Sequence, residues 1–198
     1  MASDSRASMV RSAASLIRSR GVSATSFSDV LADSGAPRGS IYHHFPDGKA
    51  QLAGDAIRWT SERLLAHLRA GNPSGPSDVL ERFIDVWRRT VVASSGTAGC
   101  VVAGVAVDTV PEETGVMEVV RATFRSWAAV LAEQLEAAGV PSQRAKPIAM
   151  ATLAAMEGAL ILCRAEGNVK PLDAVAEELM RLLPSEKRAR RKRSVHSR

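Results

Sequence analysis

Apolar residues recur every three or four positions through most of the chain, and clusters of glycine, proline and asparagine interrupt them. This spacing puts apolar side chains on one face of a helix, so the pattern predicts an all-α protein of about nine helices. The best strand candidate, residues 101–107, is β-branched but brief, and a buried helical turn explains it equally well. The other expected helices cover residues 4–20, 27–34, 38–44, 48–70, 77–93, 111–138, 142–166 and 172–183.

Residues 27–52 read in order as a helix, a tight turn, a short helix and the start of a third helix. Ser26 can cap the first of these helices, and Asp29 stands at its third position, where a carboxylate completes a capping box. Gly35 then ends the helix. This order of elements predicts a helix-turn-helix unit of the kind that binds DNA.

The short second helix is expected to be displayed on the surface. Pro37 suits its first turn, and Ile41 and Phe45, four residues apart, form its buried stripe. A helix of about seven residues is too short to be stable alone, so the neighbouring helices must hold it. Its other face carries polar side chains: Arg38, Ser40, Tyr42 and His43.

These polar side chains suggest how the unit binds DNA. Arg38 and Lys49 would neutralise phosphates or reach guanine, and Tyr42 can donate a hydrogen bond to a phosphate. Ser40 and His43 lie where base edges are expected, although each could equally be a solvated residue. Our predicted DNA-binding residues are Arg38, Gly39, Ser40, Tyr42, His43 and Lys49.

At these positions the chain resembles the tetracycline-repressor (TetR) family of bacterial transcription regulators. It departs from the family pattern at Ala36 and Pro37, and Gly48 is an additional residue before Lys49. The segment APRGSIYHHFPDGK (residues 36–49), with a later apolar segment that begins at Gly99 and Cys100, is similar to the LmrA/YxaF-like subgroup. Members of that subgroup respond to drug-like or flavonoid ligands. The matching positions are Ser34, Gly35, Gly39, Ile41, Tyr42, His44, Phe45, Lys49 and Leu52.

Positive charge is concentrated at the two ends of the chain. The net charge is +5, but residues 186–198 alone carry +6 and residues 71–185 carry −4. Residues 1–70 carry +3, which places DNA-facing charge at the N-terminal end. We expect a helix-turn-helix domain at 1–48, a ligand-binding and dimerisation domain at 49–185 and a basic, disordered tail at 186–198. The tail either adds sequence-independent DNA affinity or is merely solvated.

One short recognition helix reads few bases, so a two-fold dimer on palindromic double-stranded DNA is expected. The apolar helix around residues 147–163 would supply the interface, as would the last helix; both do so in the TetR family. The segment 147–163 is at the lower edge of the length that a membrane span needs and carries Thr152 and Glu157, so we expect a buried helix and not a membrane span. The predicted interface residues are Leu153, Met156, Leu160, Leu179 and Leu182, and the alternative is that they close the subunit's own core.

Aromatic residues and methionines after the helix-turn-helix unit are candidates for an apolar pocket that binds a small apolar or aromatic effector. By analogy with the TetR family, the best candidates are Trp87, Phe124 and Trp127, with Asp108 or Glu157 as polar anchors. Plain core packing explains the aromatic residues equally well. Phe83 and Met117 complete the predicted ligand-binding set.

The sequence lacks the motifs of the common enzyme classes, and no catalysis, cofactor or metal is expected. The two cysteines have no C-x-x-C spacing and the N-terminus has no signal segment, so a cytoplasmic, nucleoid-associated protein is expected. The resemblance implies a ligand-responsive repressor. The alternative is a DNA-binding adaptor whose helical bundle binds a protein partner.

Overall fold

The computed structural model describes residues 2–109 and 114–184 and, within these ranges, contains nine α-helices and no strand. The all-α prediction is confirmed. The predicted basic tail, residues 186–198, lies outside the described residues. The helices are α1 Ala2–Arg20, α2 Phe27–Ser34, α3 Ser40–His44, α4 Gly48–Arg69, α5 Pro76–Ala93, α6 Val101–Asp108, α7 Thr114–Ala137, α8 Ser142–Glu166 and α9 Lys170–Arg181.

The structure corrects the predicted start of one short helix and decides between strand and helix for another short segment. The third helix begins at Ser40 and not at residue 38, because the carbonyl of Pro37 accepts hydrogen bonds from Ser40 N at 2.9 Å and Ser40 Oγ at 2.6 Å. These bonds close a separate turn before the helix. The β-branched segment is helical and forms α6, which begins after Cys100 in extended conformation.

The first helix connects the N-terminal part of the chain to the rest. It packs against α2 and α3 and also against α4 and α6. Further along, α7 packs on α4 and α8, and α9 packs on α5 and α8. One continuous apolar core runs from Met9 in α1 to Leu179 in α9, so the predicted domain boundary at residue 48 does not correspond to a gap in the packing and stays a prediction.

The longest helix, α8, is apolar on more than one face. Among the described helices it alone has the length and composition that could cross a membrane, and 44% of its most apolar window is buried inside the protein. A core helix of a globular protein can have the same length and the same apolar composition. Many other residues of α8 are exposed on the surface of the protein.

Candidate DNA interface, effector cavity and subunit interface

The second helix is fixed at both ends by its own sequence. Asp29 N donates to Ser26 Oγ at 3.1 Å, and Ser26 N donates to Asp29 Oδ2 at 2.8 Å, which forms the predicted capping box. These bonds from Ser26, more than the nearby Arg20 at 3.0 Å, lower the pKa of the Asp29 carboxyl. Gly35 ends the helix in left-handed conformation at φ +68° and donates to Leu31 O. The orientation of the next turn is thereby set.

The third helix is anchored by two buried side chains and exposes its other face. Ile41 and Phe45 are fully buried, and the Arg6 guanidinium lies 5.4 Å from the centre of the Phe45 ring. Tyr42 is 69% exposed and meets the ring of Phe27 edge-on, with the ring centres 5.7 Å apart. The side chains of Arg38 and His43 are also exposed. An anchored helix with a polar outer face has the geometry of a recognition helix.

Two of the predicted DNA-binding side chains also have partners inside the protein. Ser40 Oγ donates to the carbonyl of Pro37, and Lys49 Nζ donates to the carbonyl of Ser23 at 3.3 Å. The Ser40 oxygen can still accept a hydrogen bond, and the Lys49 ammonium has two further protons to donate. Gly39 is exposed in the turn just before α3. All six predicted residues thus lie in α3 or within five residues of it along the chain.

A cavity of about 430 Å³ opens between α1, α4, α5 and α7. We call it the tryptophan cavity because Trp59, Trp87 and Trp127 line it. Trp87 and Trp127 pack with ring centres 5.7 Å apart, and Trp127 Nε1 donates to Ser61 Oγ at 2.9 Å. This hydrogen bond satisfies a polar group that would otherwise be buried alone.

The tryptophan cavity contains only part of the predicted ligand set. Trp87 and Trp127 line it, whereas Phe83 and Phe124 pack edge-on against these two rings with centres 6.2 Å and 5.9 Å apart. Neither phenylalanine is among the lining residues, and neither is Met117, which packs half-buried against the core. Phe83 and Phe124 therefore support the cavity wall from behind.

The two predicted polar anchors lie elsewhere, in a second cavity of about 300 Å³ between α1, α6 and α8. We call it the glutamate cavity, after Glu157. Burial raises the pKa of Glu157 to about 7, while a hydrogen bond with Cys100 acts in the opposite direction. Burial also raises the pKa of the Cys100 thiol, which keeps it protonated. A ligand in the tryptophan cavity would not share a cavity with these groups.

Asp108 holds the turn between α1 and α2. Its Oδ2 accepts a hydrogen bond from Ser23 N at 3.2 Å. Gly21 adopts φ +84°, and a Cβ atom built on it would lie only 2.2 Å from Asp108 Oδ2. Because the side chain of Asp108 occupies this space, its contacts are those of a structural link from α6 to the helix-turn-helix unit.

Sequence reasoning missed Arg18, which lines both cavities. Its Nε atom is buried without a hydrogen-bond partner among the described residues. Burial lowers the pKa of its guanidinium. The available signal was its position: Arg18 follows the core residue Ile17 and lies four residues after Ala14, on the buried stripe of α1.

Most of the predicted dimer-interface residues face the inside of their own subunit. Leu153, Met156, Leu160 and Leu179 are at most 4% exposed, so core packing, the alternative, describes them in the subunit, and their part in a dimer interface stays a prediction. Leu182 is 41% exposed. A different face of α8 is both apolar and exposed. We call it the α8 outer face, and it consists of Pro147, Met150, Ala151, Ala154, Gly158, Ile161, Leu162 and Ala165.

The capped α2, the tight turn and the exposed α3 define a helix-turn-helix DNA-binding protein with a helical bundle behind it. Two family models match the chain: "Bacterial regulatory proteins, tetR family" over residues 10–56 and "Transcriptional regulator LmrA/YxaF-like, C-terminal domain" over residues 76–178. The chain is 38% identical to the uncharacterised HTH-type transcriptional regulator Rv0196 of Mycobacterium tuberculosis, over 91% of this chain and 95% of that protein.

Two further similarities agree with this class. HTH-type transcriptional regulator LmrA of Bacillus subtilis is 28% identical over 85% of this chain and 91% of its own length. A TetR-family regulator from Agrobacterium tumefaciens has a solved structure with a TM-score of 0.77 and 28% identity, covering 93% of this chain and all of that chain. The chain belongs to the TetR family and is a DNA-binding transcriptional regulator. Both of these relatives are described as HTH-type transcriptional regulators.

Proposed function

We propose that this regulator is a homodimeric repressor that binds a palindromic operator through α3 and releases it when a small molecule enters the tryptophan cavity. The observation that carries the proposal is the position of α1. This helix forms one wall of the cavity and also packs against α2 and α3. A molecule that changes the cavity therefore acts on a helix that holds the DNA-binding surface.

The DNA-binding step rests on the exposed α3. Arg38, Tyr42 and His43 would contact phosphates and base edges in the major groove, with Ser40 and Lys49 beside them. A fold neighbour, CifR, is described in complex with 26-base-pair double-stranded operator DNA; it has 16% identity and a TM-score of 0.69. The chain would act on the chromosome in the bacterial cytoplasm.

The dimer rests on the α8 outer face. Met150, Ile161 and Leu162 are each more than half exposed, and Ala154 and Gly158 between them allow a second helix to approach closely. An apolar strip along an otherwise polar surface is typical of a protein interface. Two copies meeting through α8, with Leu182 at the edge, would place two α3 helices on the two halves of a palindrome.

Release requires that the effector bind the DNA-incompetent state more tightly than the competent one. The coupling would run from the cavity through α1 to α2 and α3. An effector that binds both states equally would leave operator affinity unchanged, and such a result would contradict the repressor mechanism.

The first experiment is selection from a random duplex DNA library. The parent protein is compared with an Arg38→Ala, Tyr42→Ala double variant, because the basic residues 186–198 could retain DNA without sequence preference. A palindrome enriched only by the parent supports the dimeric DNA-binding mode. Identical enrichment by the variant would contradict the role of α3 and favour the adaptor alternative, in which the α8 outer face binds a different protein.

The selected operator then serves to test release. Fluorescently labelled operator bound to the protein is titrated with candidate small molecules, and the bound fraction is followed by anisotropy. A Trp127→Phe variant tests the role of the cavity, because it changes the cavity wall but keeps an aromatic ring there. A shifted ligand response with unchanged operator affinity supports the cavity as the effector site.

A further inference from the structure

The lining of the tryptophan cavity is positively charged. Its walls combine indole rings with arginine side chains, and no aspartate or glutamate stands among the described residues that line it. In other grooves of the same protein, acidic residues balance basic ones; Asp78, Glu81 and Asp85 stand beside Arg82 and Arg88 between α5 and α9. The arginines of the tryptophan cavity are Arg11, Arg18, Arg63 and Arg89.

Three of these arginines already have partners. Arg89 pairs with Asp85, the Arg11 guanidinium donates to Ser8 Oγ at 2.9 Å, and Arg63 lies over the ring of Trp59 at 5.0 Å. All three are exposed to solvent. Their contribution to ligand binding would be a positive electrostatic potential that favours an anionic ligand.

Arg18 differs from the other three. It is largely buried, its Nε has no hydrogen-bond partner and it forms no ion pair within 4.0 Å, as judged from the described residues. Glu157 lies in the other cavity that Arg18 lines, but no ion pair within 4.0 Å joins the two among the described residues, and Glu157 Oε1 is itself buried without a hydrogen-bond partner there. A buried guanidinium remains protonated and is costly without a counter-charge. An anion beside Arg18 would remove that cost.

A second donor without a partner lines the same cavity from α5. Trp87 is 4% exposed, and its indole Nε1 has no acceptor among the residues that the structure describes. In contrast, the neighbouring Trp127 donates to Ser61. Two unsatisfied donors, Arg18 and Trp87, thus belong to one cavity whose remaining surface is largely aromatic and aliphatic. Their common complement is a hydrogen-bond acceptor with negative charge.

We propose that the effector is an amphipathic organic anion, such as an aromatic carboxylate, whose flat apolar body packs on Trp87 and Trp127 and whose anionic group is bound by Arg18. This inference rests on the proposed function and names the chemical class that the same cavity takes. The volume of about 430 Å³ lies within the usual range for small-molecule sites. It suits a molecule of two or three fused rings.

The position of Arg18 also gives the ligand a direct connection to the DNA-binding surface. Arg18 belongs to α1, two residues before Arg20, which pairs with Asp29 of the α2 capping box at 3.0 Å. An anion that draws Arg18 toward the cavity acts on the last turn of α1. The effect of ligand binding is therefore carried along α1 to Arg20 and, through its ion pair with Asp29, to α2.

The test uses naphthalene-2-carboxylate and its neutral counterpart naphthalene-2-carboxamide, which share ring and shape. Equilibrium dialysis measures their dissociation constants for the parent protein, Arg18→Gln and Arg121→Gln. Arg121 is an exposed arginine of α7 outside the cavity lining and is the matched control. We expect the carboxylate to bind about tenfold more tightly than the amide, and Arg18→Gln to remove this preference. Arg121→Gln should bind both compounds as the parent does.

A second variant covers the possibility that Arg18→Gln disturbs the fold, which circular dichroism would reveal. Trp87→Phe keeps a six-membered aromatic ring and removes the pyrrole ring with its N–H donor. The carboxylate should therefore bind about threefold to tenfold more weakly. Equal binding of carboxylate and amide by the parent would overturn the proposal. Failure of the carboxylate to bind would overturn it as well.

Operator release, measured in parallel, separates this proposal from the one on which it rests. Carboxylate binding that depends on Arg18 but leaves the operator bound supports the anion site and contradicts the ligand-responsive repressor. Release by the neutral amide, unaffected by Arg18→Gln, supports the repressor and overturns the anion site.

Discussion

The shortest and the longest helices of the described chain, α3 and α8, expose opposite kinds of surface. Helix α3 buries Ile41 and exposes Tyr42 and His43 in its five residues. Helix α8 has 25 residues, buries one apolar face and exposes another. A polar exposed face retains its water until phosphates and bases replace it, whereas an apolar exposed face is stabilised by a second apolar surface.

The proposed function assigns the two faces to two kinds of partner. The α3 face is suited to DNA and the α8 outer face to a second copy of the chain. If the assignment is right, substitutions on the two helices have separable effects: changes on α3 alter DNA affinity without altering association, and changes on the α8 outer face do the reverse.

The largest effect is expected from a charge placed on the α8 outer face. In a two-fold dimer every substitution occurs twice, and Ile161→Arg would bury two unpaired guanidiniums. We expect the dimer dissociation constant to rise by about a thousandfold, or about 4 kcal/mol. Sedimentation velocity at micromolar concentration would then show a monomer. A control on a different exposed surface, Arg121→Gln on α7, should remain dimeric, and a dimeric Ile161→Arg would exclude this face as the interface.

Two methionines of α8 distinguish its buried face from its exposed face. Met156 is 0% exposed and Met150 is 55% exposed. Met156→Ala should lower the free energy of unfolding by about 3 kcal/mol because it leaves a cavity in the subunit core. Met150→Ala should lower it by less than about 1 kcal/mol when the dimer is dilute enough to dissociate. Urea denaturation of the two variants measures the difference, and similar losses would contradict the assignment of faces.

Glu157 makes the stability of the subunit depend on pH. Its pKa in the folded protein is about 7, above the ordinary value of 4.5, so the folded state holds the proton more tightly than the unfolded state. Stability therefore falls as pH rises from about 4.5 to about 7 and is constant above that. Glu157→Gln, which does not titrate, should be more stable than the parent by about 2 kcal/mol at pH 8. The two proteins should be equally stable at pH 4.5, and a difference independent of pH would contradict the shifted pKa.

The smallest effect is expected on α3. Tyr42→Phe keeps the edge-on contact with Phe27 and removes a hydroxyl that is available to a phosphate. Operator affinity should fall about fivefold, or about 1 kcal/mol, while the unfolding midpoint in urea stays unchanged. Fluorescence anisotropy with labelled operator measures the affinity. Unchanged affinity would remove the Tyr42 hydroxyl from the DNA interface.

The difference between these helices also explains what the sequence could predict. The bounds of α2 and α8 were predicted correctly because the signals lie within a few residues: the Ser26–Asp29 capping box and Gly35 for α2, and Pro141 and Gly167 for α8. The start of α3 was predicted two residues early, because Pro37 suits a helix start equally well when it forms a separate turn.

The faces of α8 could not be assigned from spacing. Both its buried and its exposed face are apolar, so the periodicity that separates inside from outside on an amphipathic helix is weak here. The same limit applies to the cavities. Trp87 and Trp127 were found as aromatic residues, but the placement of Asp108 of α6 and Glu157 of α8 in a second cavity depends on contacts between residues far apart in the chain.

The contact between Gly21 and Asp108 has a mechanical consequence. The carboxylate of Asp108 fills the space beside Gly21 and accepts the hydrogen bond of Ser23, so the end of α6 and the α1–α2 turn meet with no free space between them. A displacement of α6 along its axis by about one ångström would have to move that turn or lengthen the hydrogen bond beyond its normal range. A movement of the end of α6 would therefore displace the α1–α2 turn, after which α2 begins.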